Sequence, residues 1–183
     1  MSPDAPDYPD AHVAELARLF REHPAWREAA RRIRGGATSS VWFSHRAGEP
    51  WHLARSGPDT VLLPGAAPDP DFVFRFTPAS IGELAAAGDT VGDFAVRLFE
   101  LMIEPDPERR VALRIVAAFP RLVWRGYVDL LFAAGPRLLA FAARHGVTGL
   151  GSLRRAVNAL RRQQAFDWES ERAAAKAQGG RRT

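Results

Sequence analysis

The stretch Phe72-Val73-Phe74-Arg75-Phe76-Thr77-Pro78 places three phenylalanines at alternate positions of a strand and then turns at once into a helix. Thr77 can cap that helix, Pro78 suits its first position, and Gly88 stands just past its end. A sheet face this aromatic has to be covered by helices or filled by a ligand. The rest of the chain divides into what can form the sheet around this strand and what can cover it.

Upstream, the runs 41–45, 51–55 and 60–63 have strand character and are separated by Ala47-Gly48-Glu49-Pro50 and Ser56-Gly57-Pro58-Asp59, which predicts an antiparallel meander. A three-residue loop in the first hairpin sets Phe43 opposite Leu53 and His45 opposite Trp51, grouping the apolar side chains. A two-residue turn at Gly48-Glu49 would instead oppose His45 and His52, a pair suited to a transition metal. The apolar pattern favours the first register, and no metal site is expected. Before the meander, Asp10 can cap a helix carrying Val13, Leu16, Ala17 and Phe20; Pro24 interrupts it, and a second helical piece with Trp26, Ala29, Ala30 and Ile33 stops at Gly35-Gly36.

Downstream, residues 90–103 read as a helix with Val91, Phe94, Ala95, Leu98, Leu101 and Met102 on its apolar side, ending before Pro105-Asp106-Pro107. Residues 111–117 alternate as a fifth strand. The segment 119–133 then reads as one mostly buried helix whose polar stripe is Arg121, Arg125 and Asp129. Gly135-Pro136 breaks it, a short helix follows to His145, and Gly146-Val147-Thr148-Gly149-Leu150-Gly151 reads as a hinge before a last amphipathic helix opened by Ser152, with Leu153, Val157 and Leu160. This order predicts an α+β fold: a mainly antiparallel five-stranded sheet with helices packed on one face and additional N- and C-terminal helices.

With 183 residues and no visible repeat, one domain over 11–165 is expected, preceded by a flexible segment 1–10 and followed by a frayed, basic tail 166–183. The absence of cysteine excludes disulfides, thiol nucleophiles and zinc–thiolate sites. Residues 1–10 carry aspartates and prolines where a secretory signal needs positive charge and an apolar run, and arginines interrupt the apolar stretch 111–143, so a cytoplasmic protein is expected. The net charge is +4, and Lys176 is the lone lysine among the basic residues. Their concentration toward the C-terminus, at Arg154, Arg155, Arg161, Arg162, Arg181 and Arg182, reads as a solvated helix face and tail, or as a surface for phosphate, an anionic membrane or a partner enzyme. Nucleic acid is not an expected partner, because no aromatics interleave with the basic residues on a recognition element.

Catalytic patterns are absent from the sequence. There is no Gly-x-Ser-x-Gly elbow, and the glycine-rich run 146–151 follows a helix and lacks the lysine of a phosphate loop. The carboxylate pairs Asp69 with Asp71 and Asp106 with Glu108 lie in proline-rich loops, where solvation is expected to keep them ordinary. No enzyme activity and no cofactor are therefore expected. Two polar groups remain. Arg75 and Arg114 face away from the phenylalanines and can take an anionic head group or lie on a solvated sheet face. Arg125 and Asp129, spaced i, i+4 with Tyr127 between them, can anchor a ligand's polar end or form an internal ion pair.

The hairpin 41–53, the strand–helix unit from Phe74-Arg75-Phe76-Thr77 through Leu84 to Gly88, and the helix and strand from Phe94 to Ile115 together resemble the sterol carrier protein 2 (SCP2)-like lipid-binding family over residues 41–133. The family's short glycine turn into the last strand is replaced here by the longer, proline-rich 103–110, and the C-terminal Arg181-Arg182-Thr183 is not a peroxisomal address, so the bacterial-type cytoplasmic members are the better match. The resemblance implies an apolar cavity between sheet and helices for an acyl chain, sterol or isoprenoid, and a noncatalytic carrier or accessory role in lipid or quinone metabolism. The facing apolar set is Phe72, Phe74, Phe76, Leu84, Phe94, Leu98, Leu101, Met102, Leu113 and Ile115, with Arg125, Asp129 and Tyr127 as candidate polar anchors. Three other readings stay open: the apolar set fills the core, the C-terminal helices make the chain a ligand-free protein–protein interaction module, or the chain is an enzyme acting on an apolar substrate through Arg125, Asp129 or a histidine in the cavity.

Overall fold

The computed structural model describes residues 8–46, 48–56, 59–162, 170 and 173. The expected tail 166–183, apart from Ser170 and Ala173, and the start of the expected flexible segment 1–10 lie outside the described residues. Within the described part of that segment, Tyr8 packs its ring 5.9 Å from Trp51. Asp10 caps α1 (Ala11–Glu22), accepting hydrogen bonds from the His12 and Val13 amides at 2.9 and 3.0 Å. Pro24 then opens α2 (Pro24–Arg32), because proline fits a first helical turn but not an interior.

Five strands follow: β1 (Ser39–Phe43), β2 (Trp51–Ser56), β3 (Asp59–Pro64), β4 (Phe72–Phe76) and β5 (Ala112–Ile115), in the spatial order β3-β2-β1-β4-β5. Three neighbouring pairs are antiparallel, and β1 runs parallel to β4, so the sheet is mixed. The parallel pair arises because residues 65–70 carry the chain back across β2 and β1. The Ala67 amide donates to Ser40 Oγ at 3.1 Å, and His52 Nδ1 lies 2.8 Å from the Gly65 carbonyl. β4 therefore enters the sheet in the same direction as β1.

The first hairpin departs from the expected register. Val41, not His45, is opposite Trp51, and Leu53 is opposite Ser39 rather than Phe43. The connection is longer than three residues because β1 leaves β2 early and continues along β4, where Phe43 pairs with Phe76. Side-chain parity is unchanged by a shift of this size, so Val41, Phe43, Trp51 and Leu53 still share one face with the three phenylalanines. His45 and His52 do not meet: His45 Nε2 lies 3.4 Å from Asp10 Oδ2 while His52 contacts Gly65.

The helices pack on that aromatic face. α1, α3 (Pro78–Ala85) and α4 (Val91–Met102) build the larger core from Leu16, Phe20, Ile81, Leu84, Phe94 and Leu101 against Val41, Phe43, Leu53, Leu62 and Phe76. A second cluster joins Ile115, Ala117 and Leu122 to Val157 of α8 (Leu150–Arg162). On the opposite face, fully buried Trp42 and Val73 pack with Val116. Arg75 and Arg114 also lie on that face, on adjacent strands, where Val73 is paired with Arg114 and Arg75 with Ala112.

The segment 119–133 is not one helix. Gly126, with φ of 85°, separates α5 (Phe119–Trp124) from α6 (Tyr127–Ala133), and a Cβ at that position would come 2.7 Å from the Arg32 carbonyl oxygen. Arg125 therefore caps one helix while Asp129 belongs to the next, so the expected i, i+4 pair is not on a common helical face. α7 (Pro136–Arg144) follows the Gly135-Pro136 break, and the Ser152 hydroxyl accepts from the Thr148 and Gly149 amides at the start of α8.

Candidate apolar ligand site

Alternation along β4 and β5 aims Phe72, Phe74, Phe76, Leu113 and Ile115 at the helices, and α3 and α4 bring Leu84, Phe94, Leu98, Leu101 and Met102 toward them. The structure divides this set in two. Phe76, Leu84, Phe94, Leu101 and Ile115 are buried, and they fill core. Phe72, Phe74, Leu98, Met102 and Leu113 are only half-buried.

The half-buried members divide between the two apolar clusters. Phe74, Leu98 and Met102 edge the larger cluster, and Phe72 and Leu113 edge the smaller. Phe74 and Leu113 are cross-strand partners, so the boundary runs over the β4–β5 pair. The rings form a ladder along it: Phe72 to Phe74 at 6.0 Å, Phe74 to Phe76 at 5.7 Å, and Tyr127 edge-on to Phe72 at 4.8 Å. A helix layer that sealed this face would leave such side chains without solvent contact.

Of the candidate polar anchors, Arg125 and Tyr127 come together and Asp129 is exposed elsewhere. Their common partner is Asp71, which the sequence placed in a solvated loop and the structure buries completely. Arg125 Nη1 donates to Asp71 Oδ2 at 2.5 Å, the Tyr127 hydroxyl donates to the same oxygen at 3.0 Å, and Arg121 Nε lies 2.8 Å from Oδ1. The Asp71 main chain is equally engaged. Its amide donates to Thr38, and its carbonyl accepts from Val116 and Ala117. Arg121 also reaches Asp69, donating to its carboxylate and its carbonyl, and this contact holds the Asp69 carboxyl below the usual carboxylate range. Burial, and then the Asp71 charge, push the Tyr127 phenol well above its ordinary value.

A surface depression lies apart from all of this, bordered by Glu83, Asp93, Val96, Arg97, Glu100 and Arg137 on α3, α4 and α7. Its rim is closed by ion pairs of Glu83 with Arg97 and of Asp93 with Arg137, and none of the ten apolar candidates lines it. Among the described residues, no group of three or more His, Asp or Glu can hold a metal ion. No helix among them is long and apolar enough to cross a membrane.

The fold is thus α+β with a five-stranded mixed sheet covered by helices on one face. Among solved structures the chain is similar to one described as a UbiJ-SCP2 ubiquinone synthesis protein. The two share 17% identity with a TM-score of 0.39, over 66% of this chain and 85% of that one. No family model matches the chain, and no curated protein matches it.

Proposed function

We propose that the protein is a noncatalytic binding or carrier protein for a lipid or other apolar small molecule, such as a fatty acyl chain, a sterol-like molecule or an isoprenoid. The observation that carries this reading is the half-exposed strip Phe72, Phe74 and Leu113 on the helix-covered face of the sheet, with Leu98 and Met102 half-buried against the same cluster as Phe74. Fully burying an apolar side chain of this size contributes about 1.5–3 kcal/mol. A chain laid along the strip supplies the missing burial without disturbing the core beneath. Flexible Met102 and the flat phenylalanine rings adapt to ligands of different width.

The polar end of such a ligand meets Tyr127, whose ring borders Phe72. Its hydroxyl and the Arg125 guanidinium already bond Asp71, so a head group exchanges those hydrogen bonds rather than adding to them. The SCP2 resemblance implies lipid or isoprenoid-quinone metabolism as the setting, with the protein serving as an accessory factor.

The test is a titration with a fluorescent fatty acyl probe in vesicle-free buffer. Wild-type protein takes up the probe saturably, and Leu113→Trp, which fills the strip from a half-buried position, excludes it while keeping the native circular dichroism spectrum. Wild-type protein that rejects the probe, or a Leu113→Trp variant that binds it unchanged, overturns the proposal.

A further inference from the structure

Large exposed apolar side chains are unevenly distributed along the fold. Among the described residues they are Ile103, Val123, Trp124, Phe132, Leu139, Leu150 and Leu160, all from the end of α4 onward, with Trp124 the most open at 73%. α8 shows how they arise. Its apolar stripe runs through Leu150, Leu153, Val157 and Leu160 at helical spacing, but only Val157 is buried against the sheet, and Leu150 and Leu160 at its two ends are exposed. The stripe is longer than the surface it covers.

Charge is distributed in the same way. Between residues 119 and 162 the only acidic side chain is Asp129, whereas arginines recur in α5, α7 and α8. Arg121, Arg125 and Arg137 are neutralised by Asp69, Asp71 and Asp93. Arg154, Arg155, Arg161 and Arg162 are exposed and make no ion pair among the described residues. Arg34 lies over the exposed Trp124 ring at 5.5 Å, adding a further cation beside an indole that favours an interface.

We propose that the surface formed by α5 to α8 docks on an anionic lipid bilayer, with Trp124, Phe132, Leu139, Leu150 and Leu160 entering the headgroup region and the α8 arginines meeting lipid phosphates. Exposed apolar groups on α5 to α8, together with α8 arginines that make no ion pair among the described residues, match the two forces that hold a helix in a membrane interface, apolar burial and attraction to anionic lipid. A second copy of this chain is a poor occupant, because two such faces would bring like charges together without acids to separate them. A bilayer also accepts side chains spread over several helices without a complementary pocket. The apolar strip on β4 and β5 is a separate feature, and this surface does not depend on it.

The test is co-sedimentation of the full chain with vesicles of phosphatidylcholine mixed with phosphatidylglycerol, against vesicles of phosphatidylcholine alone. The expected result is binding to the mixed vesicles only, weakened by added salt. Each arginine near an anionic surface accounts for about fivefold in partitioning, so Arg154→Gln/Arg155→Gln/Arg161→Gln/Arg162→Gln should lose at least about tenfold. Trp124→Ala should also bind less, with both variants melting like wild type because every altered side chain is exposed. Equal binding to neutral vesicles, no binding to mixed ones, or unchanged binding of the quadruple variant overturns the proposal. So does a stable complex with a protein that blocks vesicle binding only when the four arginines are present. Probe uptake in vesicle-free buffer is scored separately, so failure on vesicles leaves the ligand reading standing and the reverse also holds.

Discussion

The Arg125 guanidinium, at the end of α5, is 2.5 Å from the fully buried Asp71 carboxylate at the entrance to β4. Arg121 and Tyr127 complete the enclosure, so one acid ties the start of the aromatic strand to the break between two helices. Asp71→Ala strips a buried counter-charge from these arginines and should cost about 3–5 kcal/mol. Asp69→Ala removes a side chain that is 70% exposed and should cost far less than Asp71→Ala. Urea unfolding of both variants measures the contrast, and equal losses would show that Asp71 is not the hub.

Gly126 makes the turn that lets Arg125 and Tyr127 approach the same carboxylate. Gly126→Ala combines left-handed strain, about 1–2 kcal/mol, with a Cβ placed 2.7 Å from the Arg32 carbonyl oxygen. Gly146→Ala meets the same kind of strain at φ of 81° but has open space around the new carbon. Thermal melts should therefore show Gly126→Ala to be the more destabilising of the two.

Much of the architecture follows from local chemistry. Thr77 and Pro78 mark the start of α3, and Thr90 that of α4, through side-chain capping that depends on neighbours in sequence. The alternation Phe72, Phe74, Phe76 survives because a period of two is fixed by the strand itself. The register of the first hairpin depends instead on β4 competing for β1, and the continuity of 119–133 depends on Gly126 approaching Arg32, both contacts distant in sequence. Asp71 was missed for the same reason. Its partners Arg121 and Arg125 lie far along the chain, and the only local hint was their i, i+4 spacing, which lets two arginines address one acid. Within the candidate apolar set, alternation could not separate Phe74 and Leu113 from buried Phe76 and Ile115, since that depends on how far each helix extends over the sheet.

The chain's two tyrosines both have phenols raised above the ordinary value, chiefly by burial, and at Tyr127 also by the neighbouring Asp71 charge. A raised folded pKa favours the native state below the unfolded value of about 10, and this contribution is lost as pH rises through the folded value. In a Tyr8→Phe background, alkaline titration followed by phenolate absorbance should show Tyr127 ionising only as the protein unfolds. A separate titration step in folded protein near the ordinary phenol value would contradict its burial against Asp71.

At acid pH the sign reverses. The hydrogen bond from Arg109 holds the Glu83 carboxyl below its usual range despite some burial, with Arg97 adding to the effect. A depressed carboxyl pKa gives stability above the unfolded value of about 4.3, and this stability disappears as pH falls through the folded value. Glu83→Gln should therefore melt below wild type at neutral pH, with the difference narrowing under acid. A difference that stays constant with pH would assign the effect to packing rather than charge.

Whether the strip over β4 and β5 holds an apolar molecule is decided by native mass spectrometry of protein purified without denaturant, followed by organic extraction and identification of what is released. The expected result is a stoichiometric lipid or isoprenoid that is absent from the Leu113→Trp variant. Wild-type protein that is empty, and that also takes up no acyl probe, would contradict it.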